Sequence, residues 1–137
     1  MTRVVIDTNV FISSFFGGNP RRVIDLWKSG EIILCLSRGI VDEYVGVLER
    51  LGMEEEPEFE EILKLFSSGF QTLFTAKTPK LRVVQADPKD DMFVECAVAL
   101  HAPFIITGDK ALLNVREYMK IKVLTPKAFL SLYHKIP

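Results

Sequence analysis

The chain has 137 residues, with 17 lysines and arginines against 18 aspartates and glutamates and a formal net charge of −1. Hydrophobic residues make up 48% and charged residues 26%. That composition excludes a disordered acidic tail and a strongly basic DNA-coating protein, and it fits a globular domain. The length suits one domain over residues 1–137, large enough to bury a core without covalent staples.

Charge is unevenly spread. Residues 1–76 carry 7 basic and 12 acidic side chains, whereas residues 77–137 carry 10 and 6. The two cysteines, Cys35 and Cys96, sit in separate apolar runs with no C-x-x-C, which predicts buried free thiols rather than a redox pair or zinc knuckle. No signal-peptide h-region is visible at the start. No apolar run reaches the roughly 20 residues that span a bilayer, so a cytoplasmic protein is expected.

Val4-Val5-Ile6 is a short β-branched run, the pattern of a strand buried on both faces. Val10 to Phe16 begins a helix. Asn19-Pro20 reads as an N-cap followed by proline at the first helical position, with Gly30 ending that helix. Ile32 to Leu36 is a second strand, and Ser37 caps a helix to about Leu51. The acidic run Glu54 to Glu61 reads as a solvated helix entrance, with Pro57 in the first turn. Phe59, Ile62, Leu63, Phe66, Phe70, Leu73 and Phe74 recur at helical spacing and predict an amphipathic helix across Gly69. Leu81 to Val84 is expected as a third strand. Asp87-Pro88 marks a turn, and Asp90 to Leu100 a helix. Phe104 to Ile106 and Ile121 to Leu124 are further strands, and a last helix runs from Pro126 through Leu132. Short apolar strands alternating with helices predict an α/β sandwich around a parallel sheet.

In such sheets ligands bind beyond the carboxyl ends of the strands. Asp7 follows the first strand directly, and Asp109 follows Phe104-Ile105-Ile106-Thr107-Gly108. Glu43, nearly two turns into the helix leaving strand two, and Asp91, in the first turn of the helix feeding strand four, reach the same edge. Taken singly, each has a plainer reading as a cap, turn or solvated residue. Together, four acids on one edge repel unless a cation neutralises them. Carboxylates without a His/Cys cluster suit Mg²⁺ or Mn²⁺ and point to metal-assisted phosphodiester hydrolysis.

The sequence resembles the PIN domain, and within it the VapC-like toxins of toxin–antitoxin modules. The stretches that match are Val5 to Phe11, Ser37 to Glu43, Asp87 to Ala97, Ile106 to Lys110 and Leu124 to Leu130. The resemblance implies a three-layer sandwich with a five-stranded parallel sheet in the order 3-2-1-4-5. It assigns metal binding and catalysis to Asp7, Glu43, Asp91 and Asp109, the family pattern favouring Asp91 over its neighbour Asp90. It further implies an Mg²⁺- or Mn²⁺-dependent ribonuclease, homodimeric and held inactive by a small antitoxin. Thr107 matches a substrate- or ligand-orienting position, and Asn9 and Lys110 are candidate RNA contacts. Many relatives place another acid two residues after the Thr-Gly-Asp aspartate. This chain has Ala111 there, which bears on a second metal.

Other readings fare worse. A haloacid-dehalogenase-type phosphatase needs Asp-x-Asp after strand one, and the third position is Asn9. A receiver domain needs an acidic pair there, and no Gly-rich phosphate loop is present. A reading of another class is a catalytically weak PIN domain that binds RNA or protein. His101 and His134 stand apart from every acidic motif. The apolar face of the Phe-rich helix is a candidate partner surface.

Overall fold

Val4, Val5 and Ile6 are wholly buried because their strand has neighbours on both edges and helices over both faces. The computed structural model describes residues 1–134, and residues 135–137 of the expected domain lie outside that range. Strand β1 (Thr2–Ile6) leads through helix α1 (Thr8–Ser13), a 3-10 turn (Ser14–Phe16) and α2 (Gly18–Lys28) to β2 (Ile32–Ser37). Helices α3 (Arg38–Arg50) and α4 (Pro57–Ser68) then lead to β3 (Thr72–Thr75). A 3-10 turn (Pro88–Asp90) opens α5 (Asp91–Leu100), which feeds β4 (Phe104–Ile106). The chain ends in α6 (Lys110–Leu113), β5 (Glu117–Tyr118), β6 (Ile121–Leu124) and α7 (Pro126–Tyr133).

The sheet order is β3-β2-β1-β4-β6-β5. Its first five members are parallel and stand, in chain order, 3-2-1-4-5, as the resemblance implies. The sixth is an added antiparallel edge. The β5–β6 hairpin turns through Met119 and Lys120, both at positive φ, the backbone that a tight two-residue hairpin requires. The β1-to-β2 and β3-to-β4 connections run in opposite directions across the sheet. Right-handed crossovers therefore place α2 and α5 on opposite faces. Helix α5 packs across β1 to β4, and α2 packs on β2 and α7. Among the described residues no helix is long and apolar enough to cross a membrane.

Two elements differ from the sequence expectation. The amphipathic helix ends at Ser68 rather than continuing to Phe74. Gly69 takes φ 70°, and the N–H groups of Gly69 and Phe70 close onto the carbonyls of Phe66 and Leu65. Leu73 and Phe74 then belong to β3, paired in parallel with Cys35 and Leu36. Helical spacing persists past Gly69 by coincidence, and pairing with β2 overrides it. The second difference is residues 81–84, the expected third strand, which join no ladder. Their amides are taken by α5 side chains instead. Leu81 N–H donates to Glu95 Oε2 (2.8 Å), and Val83 and Val84 N–H donate to Asp91 Oδ1 (2.9 and 2.8 Å).

At the other end of the chain's acidic half, α2 is capped by Gly17 and begins at Gly18, one residue before the expected Asn19 cap. The acidic run stays mostly exposed, yet Glu58 pairs with Arg21 and Glu61 with Lys28, each at 2.8 Å, tying α4 to α2. Both cysteines are buried and unpaired, and burial pushes the Cys35 thiol up to about 11 and the Cys96 thiol up to about 12.

A Cβ at Gly69 would meet nothing within 4 Å, so replacement there costs only backbone strain. Gly69→Ala is expected to destabilise the fold by about 1 kcal/mol, read as a lower denaturation midpoint at unchanged slope in urea.

Candidate active site

Asp7 is the residue at which β1 stops and α1 starts. Its N–H still donates to Ile106 of β4 (3.0 Å), and its Oδ1 accepts from Val10 N–H (2.8 Å) as the cap of α1. The cap reading and the site reading of Asp7 therefore coexist in one side chain. The other oxygen, Oδ2, accepts from the Thr107 hydroxyl, which is itself wholly buried and accepts the Asp109 N–H (3.0 Å). Thr107 thus links the Asp7 carboxylate to the Asp109 backbone amide, in the crevice where the sheet reverses its strand order.

Glu43 reaches this edge through two contacts. Tyr44 stacks flat on Phe11 (4.0 Å between centroids, 4° between planes), and its hydroxyl donates to the Ile6 carbonyl. That clamps α3 onto the end of β1 and leaves Glu43 beside it, where Oε1 accepts from the Thr8 hydroxyl (2.6 Å). Burial raises the Tyr44 phenol well above its ordinary value, so it stays a donor.

Of the expected acids, the structure brings Asp7, Glu43 and Asp109 together, and Asp91 is directed elsewhere. Asp91 is buried under the extended segment, its Oδ1 occupied by the two amides of Val83 and Val84. Its neighbour Asp90 faces Asp109 instead. Asp90 closes a 3-10 turn whose first residue, Pro88, follows Asp87, and its N–H donates to the Asp87 carbonyl (3.0 Å). Carboxylate oxygens of Asp87, Asp90 and Asp109 lie within 4.8 Å of one another. Reading Asp87-Pro88 as a turn passed over Asp87 as an acid of the site. The available signal was its three-residue spacing from Asp90, which one 3-10 turn places on a single face.

The electrostatics fit a cation. Burial lifts the Asp7 carboxyl from 3.8 to about 6, against the lowering hydrogen bonds from Thr107 and Val10, with the charges of Asp109 and Glu43 adding to the rise. Asp90 is also pushed up, by burial first and then by Asp109, Asp87 and Asp7. Its Oδ2 is buried and, among the described residues, has no hydrogen-bond partner. Two carboxylates with no donor between them are satisfied by a shared proton or by a cation. An all-oxygen donor set suits Mg²⁺ or Mn²⁺. Asn9 and Lys110, the candidate substrate contacts, are exposed on the same rim.

Residues 3–111 match the family model of the PIN domain, and the chain belongs to this nuclease-type family. It is also similar to an uncharacterized protein of Methanocaldococcus jannaschii, 34% identical over 151 aligned positions that cover 97% of this chain and 92% of the relative.

A raised carboxyl pKa means that the folded state holds its proton where the unfolded state has lost it, so stability falls as pH rises through that window. For Asp7 the window runs from 3.8 to about 6. Without divalent cation, the melting temperature should carry a falling component across that range. Mn²⁺ should raise the melting temperature at pH 7–8 and do so progressively less below about pH 6. A metal-induced shift of equal size at pH 5 and pH 8 contradicts this account.

Proposed function

We propose that this protein is an Mg²⁺- or Mn²⁺-dependent endoribonuclease, the toxin of a toxin–antitoxin module, acting in the cytoplasm as a homodimer restrained by a small antitoxin. The observation that carries the nuclease reading is the acidic cluster at the switch point, where carboxylate oxygens of Asp87, Asp90 and Asp109 lie within 4.8 Å of one another, Asp109 and Glu43 act as charges on Asp7, and one buried Asp90 oxygen is left without a donor among the described residues. In this reading Asp7, Asp90 and Asp109 hold the cation, and Glu43 completes the acidic edge. The ligand role expected of Asp91 passes to Asp90, because the Asp91 carboxylate is committed to backbone amides. A bound divalent cation supplies charge neutralisation at the phosphate and an acidified water. The chain's own part is positional. Thr107 fixes the Asp7 carboxylate against the backbone of Asp109, and Thr8 fixes Glu43. Lys110 offers a cation to the RNA backbone next to Asp109.

The toxin and partner assignments rest on the resemblance to VapC-like proteins. Ala111, half-buried at a position where the resemblance to the family leads to the expectation of an acid, favours a second reading, a catalytically weak PIN domain that binds RNA or protein. Metal titration separates the two, since a binding module shows no Mn²⁺ uptake at millimolar levels.

The assignment of neighbouring aspartates gives a sharp comparison. Asp7→Asn and Asp90→Asn should each lower Mn²⁺-dependent RNA cleavage on the order of 100-fold or more. Asp91→Asn, which still presents an oxygen to Val83 and Val84, should retain most activity and Mn²⁺ affinity. Cleavage at the wild-type rate by Asp7→Asn and Asp90→Asn sinks the nuclease reading, whereas loss in Asp91→Asn alone returns the ligand role to that residue. Asp91→Ala is expected to lose about 2–3 kcal/mol of stability from its stranded amides, read by urea denaturation.

A further inference from the structure

Helix α3 touches the chain on both sides of Asp7 through consecutive side chains. Glu43 Oε1 accepts from the hydroxyl of Thr8 (2.6 Å), the residue after Asp7, and the Tyr44 hydroxyl donates to the carbonyl of Ile6, the residue before it. The register of β1 with β2 runs from Thr2 to Val4, and α3 makes its contact further along, at Ile6. The Ile6 carbonyl and the Asp7 N–H belong to one planar peptide unit. That N–H donates to the Ile106 carbonyl of β4 (3.0 Å), so the unit is held by β4 at one polar atom and by Tyr44 at the other. A planar unit fixed at both polar atoms resists rotation, and its orientation sets the direction in which the Asp7 side chain leaves the backbone. The wholly buried Tyr44 ring adds a second hold. It stacks on Phe11 at 4.0 Å between centroids, and the Phe11 N–H donates to the Asp7 carbonyl (3.0 Å). Tyr44 thus works on the backbone that carries the carboxylate, whereas Val10 and Thr107 bond the carboxylate itself.

Building on the reading of Asp7 as a cation ligand, we propose that Tyr44 is a positioning residue of the active site, whose hydroxyl acts through the Ile6–Asp7 peptide to aim the Asp7 carboxylate. The ends of elements open at lower free energy than core strands, and Asp7 stands where β1 gives way to α1. A functional constellation needs its side chains held to within about 0.5 Å. The hydroxyl supplies that restraint from a helix that follows a different strand, so α3 contributes Glu43 to the acidic edge and steadies Asp7 with the next residue. The hydrogen bond carries the effect rather than the bulk of the ring, which separates Tyr44→Phe from a variant that only loosens packing.

The test compares the full chain with Tyr44→Phe and with Ile32→Val, a core truncation at the first residue of β2, at the other end of the sheet. Both variants should melt at lower temperature than wild type. In the metal-free protein, amide hydrogen exchange followed by NMR should show Tyr44→Phe speeding exchange at Asp7 about tenfold more than at Val5, in the middle of the same strand. Ile32→Val should leave the ratio of the two amides at its wild-type value. Mn²⁺ affinity, read by calorimetry, should fall about tenfold in Tyr44→Phe, the size of effect seen when a group that orients a metal ligand is lost, and should stay at the wild-type value in Ile32→Val. An unchanged Asp7-to-Val5 exchange ratio in Tyr44→Phe overturns the proposal. So does an Mn²⁺ affinity that is unchanged in Tyr44→Phe, or that falls equally in the two variants, which would make the tyrosine a stabilising residue only. If wild-type protein takes up no Mn²⁺ while Tyr44→Phe still frees the Asp7 amide selectively, the anchoring of Asp7 stands and the metal-dependent ribonuclease reading falls.

Discussion

Burying a carboxylate at the end of the central strand is the constraint on which the site depends. Asp7 is 3% exposed, and the protein supplies one amide, Val10, and one hydroxyl, Thr107, to a group that water would otherwise solvate fully. Those two bonds do not offset the desolvation, since the carboxyl still rises to about 6 with Asp109 and Glu43 nearby. A fold under no functional demand would place a neutral cap there. Retaining an acid, and adding further acids around it, makes the site a place where negative charge is held against its preference. A cation relieves that at once.

The neighbouring residues Asp90 and Asp91 show how finely the backbone partitions identical side chains. Asp90 ends a 3-10 turn and Asp91 begins an α-helix, so the two side chains leave the chain in different directions. One turns to Asp109 and the other to the amides of Val83 and Val84. The second is as consequential as the first. Residues 81–84 have no sheet partner, and without the carboxylates of Asp91 and Glu95 the buried N–H of Val84 and the partly buried ones of Leu81 and Val83 would lose their partners. The start of α5 therefore both turns Asp90 toward the site and, through Asp91, anchors the segment running over that helix.

The near-neutral total charge conceals a division of labour by location. Acids gather where β1 and β4 end, at the start of α5 and in the exposed run entering α4, whereas Lys110 and Lys127 stand at the starts of α6 and α7 on the flank of the site. Strand order produces this arrangement. Because β1 and β4 are adjacent, residues about a hundred positions apart in sequence, Asp7 and Thr107, share a hydrogen bond, and the helices that follow each strand form opposite banks of one crevice.

Local physics made much of this legible from the residues. Strands β1, β2, β4 and β6 were readable as apolar runs, the cap at Ser37 and the prolines Pro57 and Pro126 at helix starts marked α3, α4 and α7, and Asp7 directly after β1 and Asp109 three residues after β4 were visible as strand-end acids. The alternating pattern determined the class of fold, and the spaced acids determined the chemistry to expect. Tertiary structure decided what helical or strand periodicity could not. Thr72–Thr75 became the third strand because β2 had an open edge to fill, although Leu73 and Phe74 continued a helical pattern past Gly69. Residues 81–84, with a strand-like composition, lie outside the sheet, and the amides of Leu81, Val83 and Val84 bond to α5 side chains instead of to a neighbouring strand. The choice between Asp90 and Asp91, and the entry of Asp87 beside Asp109, depended on one turn of 3-10 geometry and on a strand contributed from elsewhere in the chain. A sequence specifies which side chains are acidic; only the packed chain specifies which of them are left without a donor.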